Sequence, residues 1–173
     1  MDIIPRALGD VLVRDTMGRE RALGEAWRTR PAVVVWVRHF GCIGCRAHVA
    51  ELRPHFDAIR RSAELVIVGN GTPAHARRFC ELMSLDGVNV LCDEELASYK
   101  LAGLRRGWWT LLSPSAIAAR LRLGGLHTSI RGDVLQQGGV MVIRPSGEIA
   151  FRHVSRAIGD NARAVDVLAA LEA

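Results

Sequence analysis

Cys42-Ile43-Gly44-Cys45 places two thiols three residues apart. They follow the apolar run Ala32-Val33-Val34-Val35-Trp36-Val37 after four intervening residues and open a segment with helical periodicity. The first turn of a helix carries unpaired N–H groups and a partial positive charge. A thiolate there is favoured over a thiol, and the thiolate is the nucleophile. Cys42 falls at the expected N-cap, where N–H groups point and solvent reaches. Cys45 falls one turn in, more shielded. The spacing therefore assigns attack to Cys42 and resolution to Cys45, through a disulfide between them.

The residues around the pair bear on that chemistry. Arg38 and Arg46 flank it, and either can stabilise a thiolate by charge, a plain surface role being the alternative. His39 can act as acid or base, or only seat the loop. Cys80 lies inside an expected helix and reads as a buried, unpaired packing residue. Cys92 ends an expected strand near the same sheet edge and is a candidate third thiol in exchange. Four cysteines can close a zinc site. However, Cys80 and Cys92 do not repeat the close spacing of the first pair, so no structural metal is expected.

The elements that position these groups follow from periodicity. Residues 11–14 and 19–23 read as a hairpin around Met17-Gly18. Residues 32–38 form a buried strand. Val49, Leu52, Phe56 and Ile59 mark one face of a helix kinked at Pro54. Residues 65–68 form a second strand, Thr72-Pro73 opens a helix through Met83, and 88–91 form a third strand. Asp93 caps the next helix and Gly103 ends it. The stretch 104–138 is less regular and reads as a helical insertion, with Ser113 capping a helix from Pro114 to Leu123. Residues 140–143 and 148–153 form a hairpin about Arg144-Pro145-Ser146-Gly147. Asp160 caps a last helix through Leu171. The fold class is α/β, a mixed central sheet with helices on both faces and right-handed crossovers between the first strands. Cys42 and Cys45 fall at the carboxyl end of a central strand, where such sheets hold their chemistry.

The chain of 173 residues has the size of one domain. Its net charge of +5 is almost wholly arginine, with Lys100 the only lysine. The arginines are interspersed with acids and do not alternate with stacking aromatics, so no nucleic-acid partner is expected. No apolar run approaches the ~20 residues that span a bilayer. The start, Met1-Asp2-Ile3-Ile4-Pro5-Arg6, lacks the pattern of a signal peptide. A soluble, cytoplasmic protein is expected, in which thiols stay reduced between turnovers. Gly69-Asn70-Gly71 is too short to be a nucleotide loop, so neither flavin nor nicotinamide is expected to bind the chain directly.

Residues 37–46, Val37-Arg38-His39-Phe40-Gly41-Cys42-Ile43-Gly44-Cys45-Arg46, resemble the active-site signature of the peroxiredoxin-like branch of the alkyl hydroperoxide reductase/thiol-specific antioxidant superfamily. Leu65–Gly71 and Leu91–Tyr99 are similar to its second and third strands with the segments after them. Gly132-Asp133-Val134-Leu135-Gln136-Gln137-Gly138-Gly139, Ser155-Arg156 and Gly159-Asp160-Asn161 resemble its late motifs. The resemblance implies a thioredoxin-like fold and thiol redox chemistry. The sequence also departs from standard members. His39 stands at their threonine position, Val35 at their proline position, and Gly138 where they carry an arginine. That threonine and arginine hold the peroxide oxygens in standard members.

These readings converge on a thiol oxidoreductase that reduces a disulfide, peroxide or endoperoxide. A thiol reductant, a thioredoxin-type dithiol protein or glutathione, would regenerate it. Gln137, Gly138 and Gly139 are candidate substrate contacts, since they should lie opposite the cysteines. Trp108-Trp109 and Leu111-Leu112 offer a cover for the site or a homodimer surface, with plain packing as the alternative. The alternative from another class is a non-catalytic redox sensor or partner-binding module of the same fold.

Overall fold

Along β3 (Ala32–Val37) the side chains alternate between two faces, and all six residues are buried. That is why the strand reads as an unbroken apolar run: helices cover both of its sides. The computed structural model describes residues 2–107, 135–157 and 159–173. The expected Ser113-capped helix, Trp108-Trp109, Leu111-Leu112 and Gly132-Asp133-Val134 lie outside the described residues.

The remaining strands are β1 (Leu12–Asp15), β2 (Glu20–Ala22), β4 (Glu64–Gly69), β5 (Asn89–Cys92), β6 (Gly139–Ile143) and β7 (Ile149–Val154). They form one seven-stranded sheet in the order β2-β1-β5-β4-β3-β6-β7. β3, β4 and β5 run parallel, as right-handed crossovers demand, and β6 and β1 flank them antiparallel. The helices are α1 (Arg6–Gly9), α2 (Ile43–Leu52), α3 (Phe56–Ser62), α4 (Pro73–Met83), α5 (Ala97–Leu101) and α6 (Ala164–Glu172).

One face of the sheet packs Val33, Val35, Leu65, Ile67, Val140 and Val142 against Val49, Leu52, Phe56, Ile59, Phe79 and Val167 of the helices. The other packs Val34, Trp36, Val66, Val68, Met141 and Ile143 against Leu8, Leu23, Trp27 and Tyr99. Each such side chain contributes roughly 1.5–3 kcal/mol on burial, before the entropy of ordering the chain is counted.

Local signals account for most element boundaries. Pro54 breaks the long helix into α2 and α3 through a single 3-10 turn, Arg53–His55. Thr72 caps α4 by accepting from His75 N, and the His75 ring accepts from Thr72 N. Asp93 reaches forward to accept from Ala97 N and Ser98 N at the start of α5. Two expectations change. The N-terminal hairpin stops at Ala22, and Leu23–Trp27 turn into a 3-10 helix. The last helix begins at Ala164, after Arg163, so Asp160 does not cap it. Asp160 instead accepts from Arg156 N and lies against the His153 ring, pinning the loop between β7 and α6.

Candidate active site

The end of β3 is held from below. The Tyr99 hydroxyl, fully buried, donates to the Val37 carbonyl at 2.6 Å. The Trp36 indole N–H donates to Ser98 Oγ, which donates in turn to Asp93. From Val37 the chain turns through residues 38–42, closed by Cys42 N donating to the His39 carbonyl. The Phe40 ring stacks near Phe79 and occupies the space over Gly69, where a Cβ would overlap it at 2.2 Å. Glycine at 69 therefore lets the loop seat, and the seated loop delivers Cys42 to the N-cap of α2.

The two thiols are in opposite states. Cys42 Sγ accepts from Cys45 N at 3.4 Å, the place an N-cap oxygen usually takes. The Cys45 thiol hydrogen-bonds the Cys42 sulfur, and this, against the cost of burial, leads the causes that bring Cys42 down to about 6. The Arg38 charge and the N–H groups of Cys45 and Gly44 add to the effect. Burial first, and then the hydrogen bond to Cys42 and its charge, push Cys45 well above the ordinary thiol range. Cys42 is thus the thiolate and Cys45 the proton-bearing thiol. Their exposures, 5% and 7%, scarcely differ, so the expected contrast in solvent access is absent. Hydrogen bonding and charge separate the two instead.

Arg38 is buried, with its Nε on the Gln136 carbonyl and its backbone N–H on Cys45 Sγ at 3.2 Å. Arg46 turns away, donating to the Gly41 carbonyl. Of the two arginines, Arg38 supplies the charge that Cys42 feels. His39 is buried, and its backbone carbonyl closes the turn before Cys42. Of Gln137, Gly138 and Gly139, the candidate substrate contacts, Gly138 alone lines the cleft beside the thiols. A Cβ there would meet the Trp36 carbonyl at 2.2 Å, so the backbone approaches β3 where a side chain cannot fit. Gln137 differs from expectation. It is fully buried, and its amide donates to the Leu135 carbonyl, because it ties the incoming strand rather than facing substrate. Gly139 starts β6 beneath Leu104.

The cleft is small, about 20 Å³, room for about one water-sized group. Trp36, Cys42, Cys45, His48, Ser155 and Asn161 are among its walls. His48 was not a sequence candidate, although its i+3 position from Cys45 on α2 puts both on one helix face. Its Nε2 lies 3.2 Å from the Ala162 carbonyl, and burial brings it down to about 4, so the ring is neutral near pH 7. The Nε2 proton is then the donor to that carbonyl. Ser155 and Asn161 belong to motifs that carried no assigned role in the sequence.

The other two cysteines stand outside the cleft. Cys92 is buried in the core and pushed up to about 12, mainly by burial. Cys80 is half-buried on α4 rather than fully buried, because it lies at the margin of the face that packs on the sheet.

Comparison with known proteins agrees with this architecture. Residues 49–157 match the model of the AhpC/TSA antioxidant enzyme family, starting one turn after Cys45. The chain is 31% identical to peroxiredoxin-like 2C of Mus musculus, over 87% of this chain and 72% of that protein. It is 29% identical to prostamide/prostaglandin F synthase of Salmo salar, over 96% of this chain and 87% of that protein. Peroxidoxin BcpB of Mycobacterium tuberculosis superposes with a TM-score of 0.71, covering 99% and 94% of the two chains at 18% identity. A serine variant of peroxiredoxin Q from Xanthomonas campestris superposes with a TM-score of 0.72, covering 99% and 98% at 13% identity. The fold is the thioredoxin-like fold of the peroxiredoxins.

Proposed function

The chain belongs to the AhpC/TSA antioxidant enzyme family and is an oxidoreductase of thioredoxin-like fold, and from that premise we propose that Cys42 and Cys45 are its redox pair. The observation that carries this reading is the opposed proton affinity of two hydrogen-bonded thiols at the start of α2, beside a small cleft.

The Cys42 thiolate attacks one atom of an O–O or S–S bond. The other atom leaves with the electron pair and takes a proton. While Cys42 is anionic, burial first, and then its hydrogen bond and its charge, keep the proton on Cys45. Once the Cys42 sulfur is bonded to substrate, the last two of those causes lapse. The Arg38 N–H already rests on the Cys45 sulfur, ready to favour its thiolate. Cys45 then attacks the Cys42 sulfur and expels water from a sulfenic acid, a thiol from a mixed disulfide, or an alcohol oxygen from an endoperoxide adduct. The resulting Cys42–Cys45 disulfide is reduced by a thioredoxin-type dithiol protein or by two molecules of glutathione. Peroxiredoxin-like relatives and a prostamide/prostaglandin F synthase support an O–O bond as the substrate bond. A reducing compartment, the cytoplasm by our reading, suits thiols that must be returned to the reduced state.

Turnover separates an enzyme from a sensor. The protein is incubated with excess organic hydroperoxide or small disulfide and a dithiol, and substrate loss is followed. Many equivalents consumed per chain support catalysis. A single equivalent, with both thiols then oxidised, points to a sensor or binding module.

A further inference from the structure

Gly138 stands where standard members of the family carry the arginine that holds peroxide oxygens, and His39 stands where they carry the threonine. If the chain cleaves an O–O bond, other groups must take the departing oxygen. The residue facing Gly138 is Ser155, whose backbone N–H donates to the Gly138 carbonyl at 3.1 Å. Ser155 is only 8% exposed and lines the same cleft as Cys42 and Cys45. Among the described residues its hydroxyl has no protein hydrogen-bond partner, so it is open to a ligand in the cleft. Asn161 lies on the same wall, half-buried, and its side-chain amide likewise has no protein partner among the described residues.

The loop that carries both is fixed at each end. Asp160 accepts from Arg156 N and contacts His153, and His48 holds the Ala162 carbonyl. Asn161 therefore sits between two anchored neighbours, and Ser155 is tied to Gly138. Backbone anchored this way holds the two donors at the cleft, which limits the reorganisation needed to meet developing charge.

We propose that Ser155 Oγ–H and the Asn161 side-chain N–H donate to the leaving oxygen of an O–O substrate, replacing the family's threonine and arginine. This rests on the Cys42–Cys45 redox reading above. As Cys42 sulfur bonds one oxygen, the O–O bond breaks and its electron pair goes to the departing oxygen. Sulfur is oxidised by two electrons. The departing oxygen accepts hydrogen bonds from Ser155 and Asn161 and takes its proton from solvent. The cleft admits that oxygen, and the rest of the substrate extends outward.

The test compares Ser155→Ala, Ser155→Thr, Asn161→Ala and Asn161→Asp with the unaltered chain. Rapid mixing measures oxidation of Cys42 by tert-butyl hydroperoxide. In parallel, iodoacetamide and a small aromatic disulfide report the thiolate itself. We expect Ser155→Ala and Asn161→Ala each to slow the peroxide reaction by about 100-fold, as loss of one preorganised donor does elsewhere. Asn161→Asp should be slower still, since its carboxylate repels the departing anion. For Ser155→Ala and Asn161→Ala, alkylation rates, their pH midpoint and disulfide exchange should not move, and Ser155→Thr, which keeps the hydroxyl, should lose less of the peroxide rate than Ser155→Ala. Equal losses with all three reagents, or no loss with peroxide, overturn the assignment. A chain that reacts with peroxide while the variants match it overturns this inference alone. An unaltered chain inert to hydroperoxide but reactive with disulfide overturns it together with the O–O half of the functional reading.

Discussion

The backbone N–H of Cys45 donates to the Cys42 sulfur at 3.4 Å, while the Cys45 sulfur itself accepts from Arg38 N–H at 3.2 Å. The end of β3 and the first turn of α2 therefore each supply a donor to one sulfur, while burial and the side-chain hydrogen bond between the thiols leave the proton on Cys45.

Alkylation should titrate Cys42 far below an ordinary thiol. The rate of iodoacetamide modification of Cys42, followed by peptide mass analysis, should rise through a midpoint near pH 6 and be nearly flat by pH 8. The lowered value also has a stability consequence. The thiolate stabilises the folded state fully above the unfolded thiol's value of ~8.5, and that gain is lost as pH falls through about 6. Cys42→Ser should remove that dependence from urea-unfolding curves across this window. A midpoint near 8.5 would mean that the N-cap hydrogen bonds and Arg38 do not reach the sulfur.

Arg38→Met should raise the midpoint of Cys42 alkylation, whereas Arg46→Met should leave it in place. Arg38 is buried with its charge on the thiols, and Arg46 donates to the Gly41 carbonyl instead. Each unit of upward movement corresponds to ~1.4 kcal/mol and, near pH 6 and below, about a tenfold fall in the thiolate present. Identical profiles for Arg38→Met and the unaltered chain would remove the arginine from the mechanism.

His48 should govern acid stability below the range set by Cys42. Its ordinary value of 6.5 falls to about 4 in the folded chain. As pH falls below 6.5, the unfolded chain binds this proton first, so stability drops until about pH 4 and then no further on this account. The full loss is about 3 kcal/mol. His48→Gln, which keeps an N–H donor, should flatten the dependence between pH 6.5 and 4 in denaturant titrations. An unchanged slope would show that the ring can be protonated in place.

Gly138→Ala should destabilise the fold by about 1–3 kcal/mol, the cost of overpacking a tight site. Its Cβ would meet the Trp36 carbonyl at 2.2 Å, backbone that cannot swing aside like the end of a side chain. Thermal melting checks this. A variant as stable as the parent would mean that the two strands can part at this point without loss.

The pair, its strand and its helix were readable because each rests on near neighbours in sequence. Cys42 and Cys45 follow a run of six buried residues, Pro54 breaks its own helix, and Thr72 caps the helix it precedes. The cleft was only half readable. Ser155 and Asn161 reach the thiols because β7 and the loop after it return beside β6, a tertiary event with no local period. The place of Gln137 in the chain suggests a substrate contact, and only its burial shows that it faces inward. Asp160 had the chemistry of a helix cap, but the helix starts four residues later and the carboxylate serves the loop. Arg38 and Arg46 are equivalent as letters flanking the motif, and the turn at residues 38–42 is what buries one and turns the other aside.

The central claim is the division of labour between the two thiols, and intact-protein mass spectrometry of Cys45→Ser tests it most directly. The variant is exposed to one equivalent of hydroperoxide or small disulfide and then digested to locate the adduct. The account requires a sulfenic acid or mixed disulfide stalled at Cys42, formed about as fast as in the unaltered chain, while Cys42→Ser forms none at Cys45. An adduct that accumulates at Cys45 in Cys42→Ser, with Cys45→Ser inert, would reverse the roles and contradict the reading of the site.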